Sequence, residues 1–267
     1  MAAPPPEESA RAFFAFHLKR LREQRKLSQV SLGKAVHASP SLISSIENCT
    51  RTPSLSITKA LDRFLGVPQF FEALHPRIIE ETGLPVGFAE LTDAEGEAST
   101  IKLYENFVVT GLFQIEEYAR AVLQAAERPD KLEFLVAARM ERKELLCREE
   151  APMIIALLDE FAVRRLFGDQ EVMAKQYLHL LHLAQEPRIA LHIVPADSGL
   201  CPEGAFKILH FPESPAIGYA ESVGGQGHLI ETRRHVAHLD VLFEMIRNKA
   251  LSGIDSERMV RDLLEAL

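Results

Sequence analysis

The side chains best suited to chemistry lie within 26 residues, from Leu27 to Thr52. Gln29, Pro40, Ser41, Ser44 and Ser45 are the candidates for reading base edges, because hydroxyls and amides donate and accept hydrogen bonds and a proline can meet a thymine methyl. Hydroxyls alone discriminate weakly, so Pro40 and Leu42 are expected to add methyl contacts, while Gln29, Arg51 and DNA shape carry part of the readout. Arg22, Lys34, Asn48, Thr50 and Arg51 are the candidate phosphate partners, together with the first-turn N–H groups of the two helices that frame the segment.

Those helices are legible from their caps. Ser28 is placed to accept from a first-turn N–H, so a helix starts there and buries Leu32 and Ala35, with Gly33 permitting a close crossing. Ser39 repeats the cap, Pro40 takes the first helical position where no N–H is needed, and Ile43 and Ile46 share the buried face. Pro40, Ser41, Ser44 and Ser45 are left facing outwards, which is the pattern of a helix-turn-helix. Phe14, Leu18 and Leu21 predict a preceding helix over about 11–26. Ser54 predicts a fourth that buries Ile57, Leu61 and Phe64 and ends at Gly66-Val67-Pro68, and a short fifth follows over about 69–74. A disordered tail over 1–10, a helix-turn-helix domain over 11–75 and a linker over 76–90 are expected, the linker marked by Pro76, Gly83, Pro85 and Gly87, with Arg77 to Glu81 able to extend as a helix.

From 91 to 267 the pattern changes to an α+β (α/β) domain, making the chain multidomain with an all-α five-helix domain in front. Helices are predicted over about 93–104, 115–126, 130–149, 170–185, 232–250 and 255–266. Strands are predicted over 153–158, 188–194, 205–211, 216–221 and 228–230, for a sheet of four or five strands.

Charge divides the chain the same way. Residues 11–67 hold ten Lys or Arg against three acids, a balance of +7 within a chain of net charge −8, which leaves −15 for the remainder. A basic head on an acidic body is the electrostatic footprint of one domain that meets phosphate and another that does not. The longest apolar run, Met153 to Leu158, is far short of the roughly 20 residues that cross a bilayer, and the start of the chain lacks a basic and apolar leader, so a cytoplasmic, nucleoid-associated protein with no membrane partner is expected. Cys49, Cys147 and Cys201 are scattered and odd in number, which suits a reducing compartment.

The acidic domain offers little for catalysis. His179 with His182, and His235 with His238, have a spacing that could share a metal, but surface histidines at that spacing are commoner. Asp159-Glu160 and Glu221 could form a carboxylate pair, although a helix cap and an ion-pair partner for Arg139 or Arg142 is the simpler role. Gly224-Gly225-Gln226-Gly227 lacks the lysine of a phosphate loop and reads as a hairpin turn, Ser222 has no nucleophile motif, and Cys201 beside Pro202 reads as a loop residue. No catalytic residue, metal or cofactor is expected, and a DNA-tethered enzyme ranks last among the readings.

The first domain resembles the xenobiotic-response-element (XRE) family of Cro and phage-repressor-like helix-turn-helix proteins through Leu27-Ser28-Gln29, Leu32, Ala35, Ser39-Pro40-Ser41, Ile43-Ser44, Ile46-Glu47 and Thr52-Pro53-Ser54-Leu55. The resemblance implies that Gln29, Pro40, Ser41 and Ser45 approach DNA and that Glu47 pairs with an arginine of the first helix, here Arg22. Cys49 departs from a usual glycine. The remainder resembles the C-terminal domain of actinobacterial WhiJ-type regulators through Ile101 to Glu105, Thr110 to Gln114, Glu117 to Arg120, Ala138-Arg139, Arg142, Leu158 to Glu160, His192 to Pro195, Gly199, Tyr219 to Ser222 and Gly224-Gly225. Val109-Thr110 and Lys143 depart from that pattern. The resemblance implies a developmental or metabolic regulator, often beside a small acidic BldB-like partner protein, and no established enzymatic activity. The expected function is thus sequence-specific regulation of transcription by a homodimer on double-stranded DNA, the second domain supplying dimerisation and a site for a small-molecule ligand or protein partner. The alternative is an antitoxin-like module that holds a BldB-like partner and binds DNA to regulate itself.

Overall fold

Serines open four helices of the first domain. Ser9, Ser28, Ser39 and Ser54 sit in extended backbone and accept from the N–H of Ala12, Ser31, Leu42 and Ile57, which starts α1 (Ala10–Gln24), α2 (Gln29–Ala35), α3 (Pro40–Glu47) and α4 (Leu55–Leu65). The computed structural model describes residues 4–82, 84–85, 87–125, 131–199, 202–222 and 226–267. It divides into two units, residues 1–93 and 94–267.

Gly66 closes α4 in the left-handed conformation, and both oxygens of the buried Asp62 accept from the N–H groups of Phe71 and Glu72. That carboxylate starts α5 (Phe70–Thr82), which runs on through Pro76 where a stop was expected. A proline inside a helix costs about 3 kcal/mol. Here Phe71 and Ile78, both fully buried in the same core as Phe14, Leu18, Ile43 and Leu61, hold the helix on either side of it. The predicted linker 76–90 therefore carries the second half of α5 and the start of α6 (Phe88–Glu97). The tail is shorter than predicted, since Glu8 N–H donates to Pro5 O and Ser9 caps α1, while residues 1–3 and Gly83 lie outside the described residues. Phe64 is exposed and Leu65 is buried, because the core stripe of α4 runs 57, 61, 65.

The second unit is built on one mixed sheet. Its strands are β1 (Thr100–Glu105), β2 (Met153–Asp159), β3 (Ile189–Val194), β4 (Phe206–His210), β5 (Ile217–Ser222) and β6 (Gln226–Ile230). They lie in the order β3-β2-β1-β4-β5-β6, with β1, β2 and β3 parallel and the other neighbours antiparallel. Six strands replace the expected four or five. The addition is β1, in a segment predicted as helix; Ile101 and Leu103 are buried on alternate positions, a period of two that belongs to a strand.

Around the sheet stand α7 (Glu116–Ala125), α8 (Leu132–Lys143), α9 (Glu160–Arg164), α10 (Gln170–Leu183), α11 (Arg233–Arg247) and α12 (Gly253–Glu265). A 3₁₀ turn over Glu144–Cys147 replaces the end of the long helix predicted to 149. Tyr104, Leu157, Phe206 and Ile208 on one face of the sheet pack with Val236, Phe243 and Ile246 of α11. Gly218 lets α11 pack closely there, since a Cβ would lie 2.7 Å from Leu239 Cδ1 and that side chain would have to shift. On the same face Lys102 Nζ donates to Asp240 at 3.0 Å and Glu244 at 3.1 Å. Alternation sends Glu105 and Lys207 to the opposite face. The hairpin expected at Gly224-Gly225, the loop at Cys201 and the helix ends at 126 and 130 fall outside the described residues.

Candidate nucleic-acid interface

The turn between α2 and α3 is built by two backbone features. His37 adopts the left-handed conformation at φ 54°, and Ala38 N–H returns to Gly33 O at 2.8 Å. A Cβ on Gly33 would meet Ala38 O at 2.5 Å, so only glycine allows the chain to double back this tightly. Leu32, Leu42, Ile43 and Ile46 are buried beneath the turn, which fixes the orientation of α3. Ala35 is half-buried, and Leu42, 5% exposed, belongs to the core; the expected thymine contact from Leu42 is thus corrected, its side chain being committed inwards.

Glu47 anchors the motif. Its carboxylate, 3% exposed, accepts from Arg22 Nε at 2.6 Å, Arg22 Nη2 at 2.9 Å and Gln29 Nε2 at 2.9 Å. Arg22 donates its remaining arm to Leu27 O at 2.9 Å. The Glu47 hydrogen bonds raise the Arg22 pKa above its ordinary value against the opposing effect of burial. The ion pair of Arg22 with Glu47 joins α1 to α3, and Gln29 adds α2 to it. Arg22 is therefore corrected from a phosphate partner to an internal tie, because each of its three side-chain nitrogens donates inside the protein. Because a carboxylate only accepts, Gln29 must turn its amide N–H₂ towards Glu47, and its carbonyl oxygen is left to accept from a base. The link from Gln29 to Glu47 was not read from the sequence, where the two residues stand 18 apart.

The outward edge of α3 is small and polar. Pro40 and Ser41 are exposed, and Ser44 and Ser45 are half-buried. Ser41 Oγ lies 2.9 Å from Ser39 Oγ, and Asn48 Nδ2 donates to Ser44 Oγ at 3.4 Å. Thr50 Oγ1 donates to Ser45 O at 3.1 Å, closing the end of α3. Cys49 follows α3 at φ 57°, the left-handed position where the family resemblance expects glycine, and its thiol packs with Ala12 and Ala15.

The candidate phosphate groups differ in freedom. Lys34 is exposed with no ion-pair partner among the described residues, whereas Arg51 Nη2 stands 3.9 Å from Asp93 Oδ1. Val30, 49% exposed on α2 beside Gln29, is an apolar group on this surface that the sequence reading missed. Its signal was present, since the buried face set by Leu32 leaves Val30 outside.

In the second unit, Asp159 caps α9 through Phe161 N–H and Glu160 pairs with Arg164, so these two carboxylates serve local structure. Arg142 pairs with Glu95 and Arg139 donates to Gln114, in place of the partnership with Glu221. His179 Nε2 lies 3.4 Å from Lys143 Nζ, His182 is exposed, and His235 and His238 are exposed on α11. Among the described residues no three His, Cys, Asp or Glu side chains are grouped to hold a metal ion, and no helix is long and apolar enough to cross a membrane.

Comparison with known families divides the chain in the same manner. A model described as a helix-turn-helix domain matches residues 14–70, and a model described as a domain of unknown function (DUF5753) matches residues 88–262. No curated protein and no solved structure matches the chain.

Proposed function

Because the chain belongs to the family of the domain of unknown function DUF5753 and carries a helix-turn-helix domain ahead of it, we propose that it is a sequence-specific regulator of transcription. It acts without catalysis of its own, in the cytoplasm, as a homodimer on double-stranded DNA. The observation that supports this reading most is the lock at Glu47. Arg22 and Gln29 hold α3 from two sides, while Pro40, Ser41, Ser44 and Ser45 remain on its outer edge inside the basic part of the chain. Such an edge fits the major groove, and the short side chains let the helix backbone approach the bases closely.

A single edge of this kind discriminates poorly. Two copies placed about one helical turn apart multiply the discrimination, which is the reason for assigning dimerisation, with sensing of a small ligand or protein partner, to the second domain. Its WhiJ-type resemblance supports a developmental or metabolic role. The test is a competition between a duplex selected by the protein from random oligonucleotides and an unselected duplex. With Gln29, Ser41 and Ser45 replaced by alanine, the preference for the selected duplex falls by about tenfold or more. An unchanged preference refutes the assigned edge.

A further inference from the structure

The second unit buries charge on the sheet face opposite α11. Arg142 of α8 is closed by Glu95, Nε to Oε2 at 2.6 Å, with side-chain exposures of 8% and 1%. Lys207 of β4 lies 3.6 Å from Glu105 of β1 and 3.9 Å from Glu95. Arg139, one turn before Arg142, is the third cation. Its Nη1 donates to the buried Gln114 Oε1 at 3.0 Å, and that neutral amide is its only hydrogen-bond partner among the described residues. Three cations thus face the carboxylates of Glu95 and Glu105, and the exposed Glu221 is a third acid whose charge acts on Arg139 without hydrogen-bonding to it.

Arg139 also has a free edge. With Nη1 engaged, Nε and Nη2 of Arg139 form the two-pronged side of the guanidinium that fits an oxyanion. Gly111 stands over that side, where a Cβ would lie 3.7 Å from Nε and Cδ of Arg139 and 3.6 Å from Nη1 of Arg142. Gln114 is fixed in turn by its Nε2 bond to Val109 O at 2.6 Å, so the arginine is held in place before anything binds.

We propose that the free edge of Arg139, under Gly111 and beside the Glu105–Lys207 pair, is the receptor for the oxyanion of a small organic acid that acts as the effector of this regulator. The assignment rests on the sensing role given above to the second domain and supplies its chemistry. A bound anion would give Arg139 a hydrogen-bonded counter-charge and so offset the desolvation that lowers its pKa to about 10. A planar carboxylate matches both prongs at once; a phosphate group shares the oxyanion chemistry and is the other source.

The experiment is thermal unfolding of the full chain, titrated with sodium benzoate and separately with sodium phosphate, each against sodium chloride at matched ionic strength. The unsubstituted protein is expected to show a saturable rise in melting temperature with benzoate. Arg139→Gln is expected to shift the half-saturating concentration upwards at least tenfold. A saturable response to phosphate alone, lost in Arg139→Gln, supports the same receptor with phosphate as its source. Arg139→Gln takes the donor from the buried Gln114 Oε1, so its titration is read against its own melting temperature without anion. If it fails to fold, Arg139→Lys, which keeps the charge and loses the fork, gives the comparison through a loss of the benzoate response. No saturable response to either anion, or an equal response in the variants, overturns the receptor. Duplex binding measured on the same samples separates the two claims, since the receptor can fail while DNA binding persists.

Discussion

Glu47 collects three donors on two oxygens, and removing it leaves Arg22, whose side chain is 11% exposed, with the Leu27 carbonyl and only the exposed Glu23, 3.7 Å away, as counter-charge. Loss of one partner of a buried pair costs about 3–5 kcal/mol. Glu47→Ala should therefore lower the urea midpoint of the first domain, followed by helical circular dichroism, and an unchanged midpoint would show that the lock is not structural. His179 makes a different prediction. Burial first, and then Lys143 and His182, push its pKa down to about 4 from the usual 6.5. As pH falls the unfolded chain takes up the proton first. The stability contributed by neutral His179 is complete above pH 6.5 and is lost between there and about 4. Melting temperature should decline over that window and the decline should flatten in His179→Gln; an identical slope in the variant would contradict the assignment.

The turn between α2 and α3 depends on Gly33. Its replacement by alanine drives a Cβ into the backbone carbonyl of Ala38, a clash that side-chain motion cannot relieve, at a cost of about 1–3 kcal/mol. Gly33→Ala should reduce melting temperature and duplex affinity together, since the carbonyl it displaces precedes α3. This element was legible because its determinants are local: serine caps, Pro40 at a helix start, and Ile43 and Ile46 on one face. Pro76 misled for the converse reason. The sequence shows the broken hydrogen bond, whereas the burial of Phe71 and Ile78 that outweighs it comes from distant residues. The strand β1 was hidden similarly, six residues of alternation directly after a helix, recognisable once Ile154 and Leu209 pair with Ile101 on either side. At the outer edge of α3, the positions of Pro40, Ser41, Ser44 and Ser45 followed from helix period. The pair of Arg22 with Glu47 was expected from the family resemblance and is present, whereas the commitments of Gln29 to Glu47 and of Arg139 to Gln114 required contacts across 18 and 25 positions of chain, and no local pattern carries those.

For the whole molecule the decisive property is the uneven distribution of charge, +7 within residues 11–67 against −15 elsewhere. Cations that meet phosphates displace condensed counterions, so affinity should fall linearly on logarithmic axes as salt is raised, and each lost phosphate contact should reduce the slope by about one. Lys34→Ala, which removes an exposed cation with no ion-pair partner among the described residues, should weaken selected and random duplexes alike and show that reduced slope. The most direct measurement is fluorescence anisotropy of the full chain with a selected duplex, between about 50 and 200 mM salt, alongside a random duplex of equal length. The predicted result is binding at low salt with a steep negative slope and a preference for the selected duplex of about a thousandfold or more. Failure to bind any duplex at the lowest salt, including the region upstream of its own gene, would contradict the account.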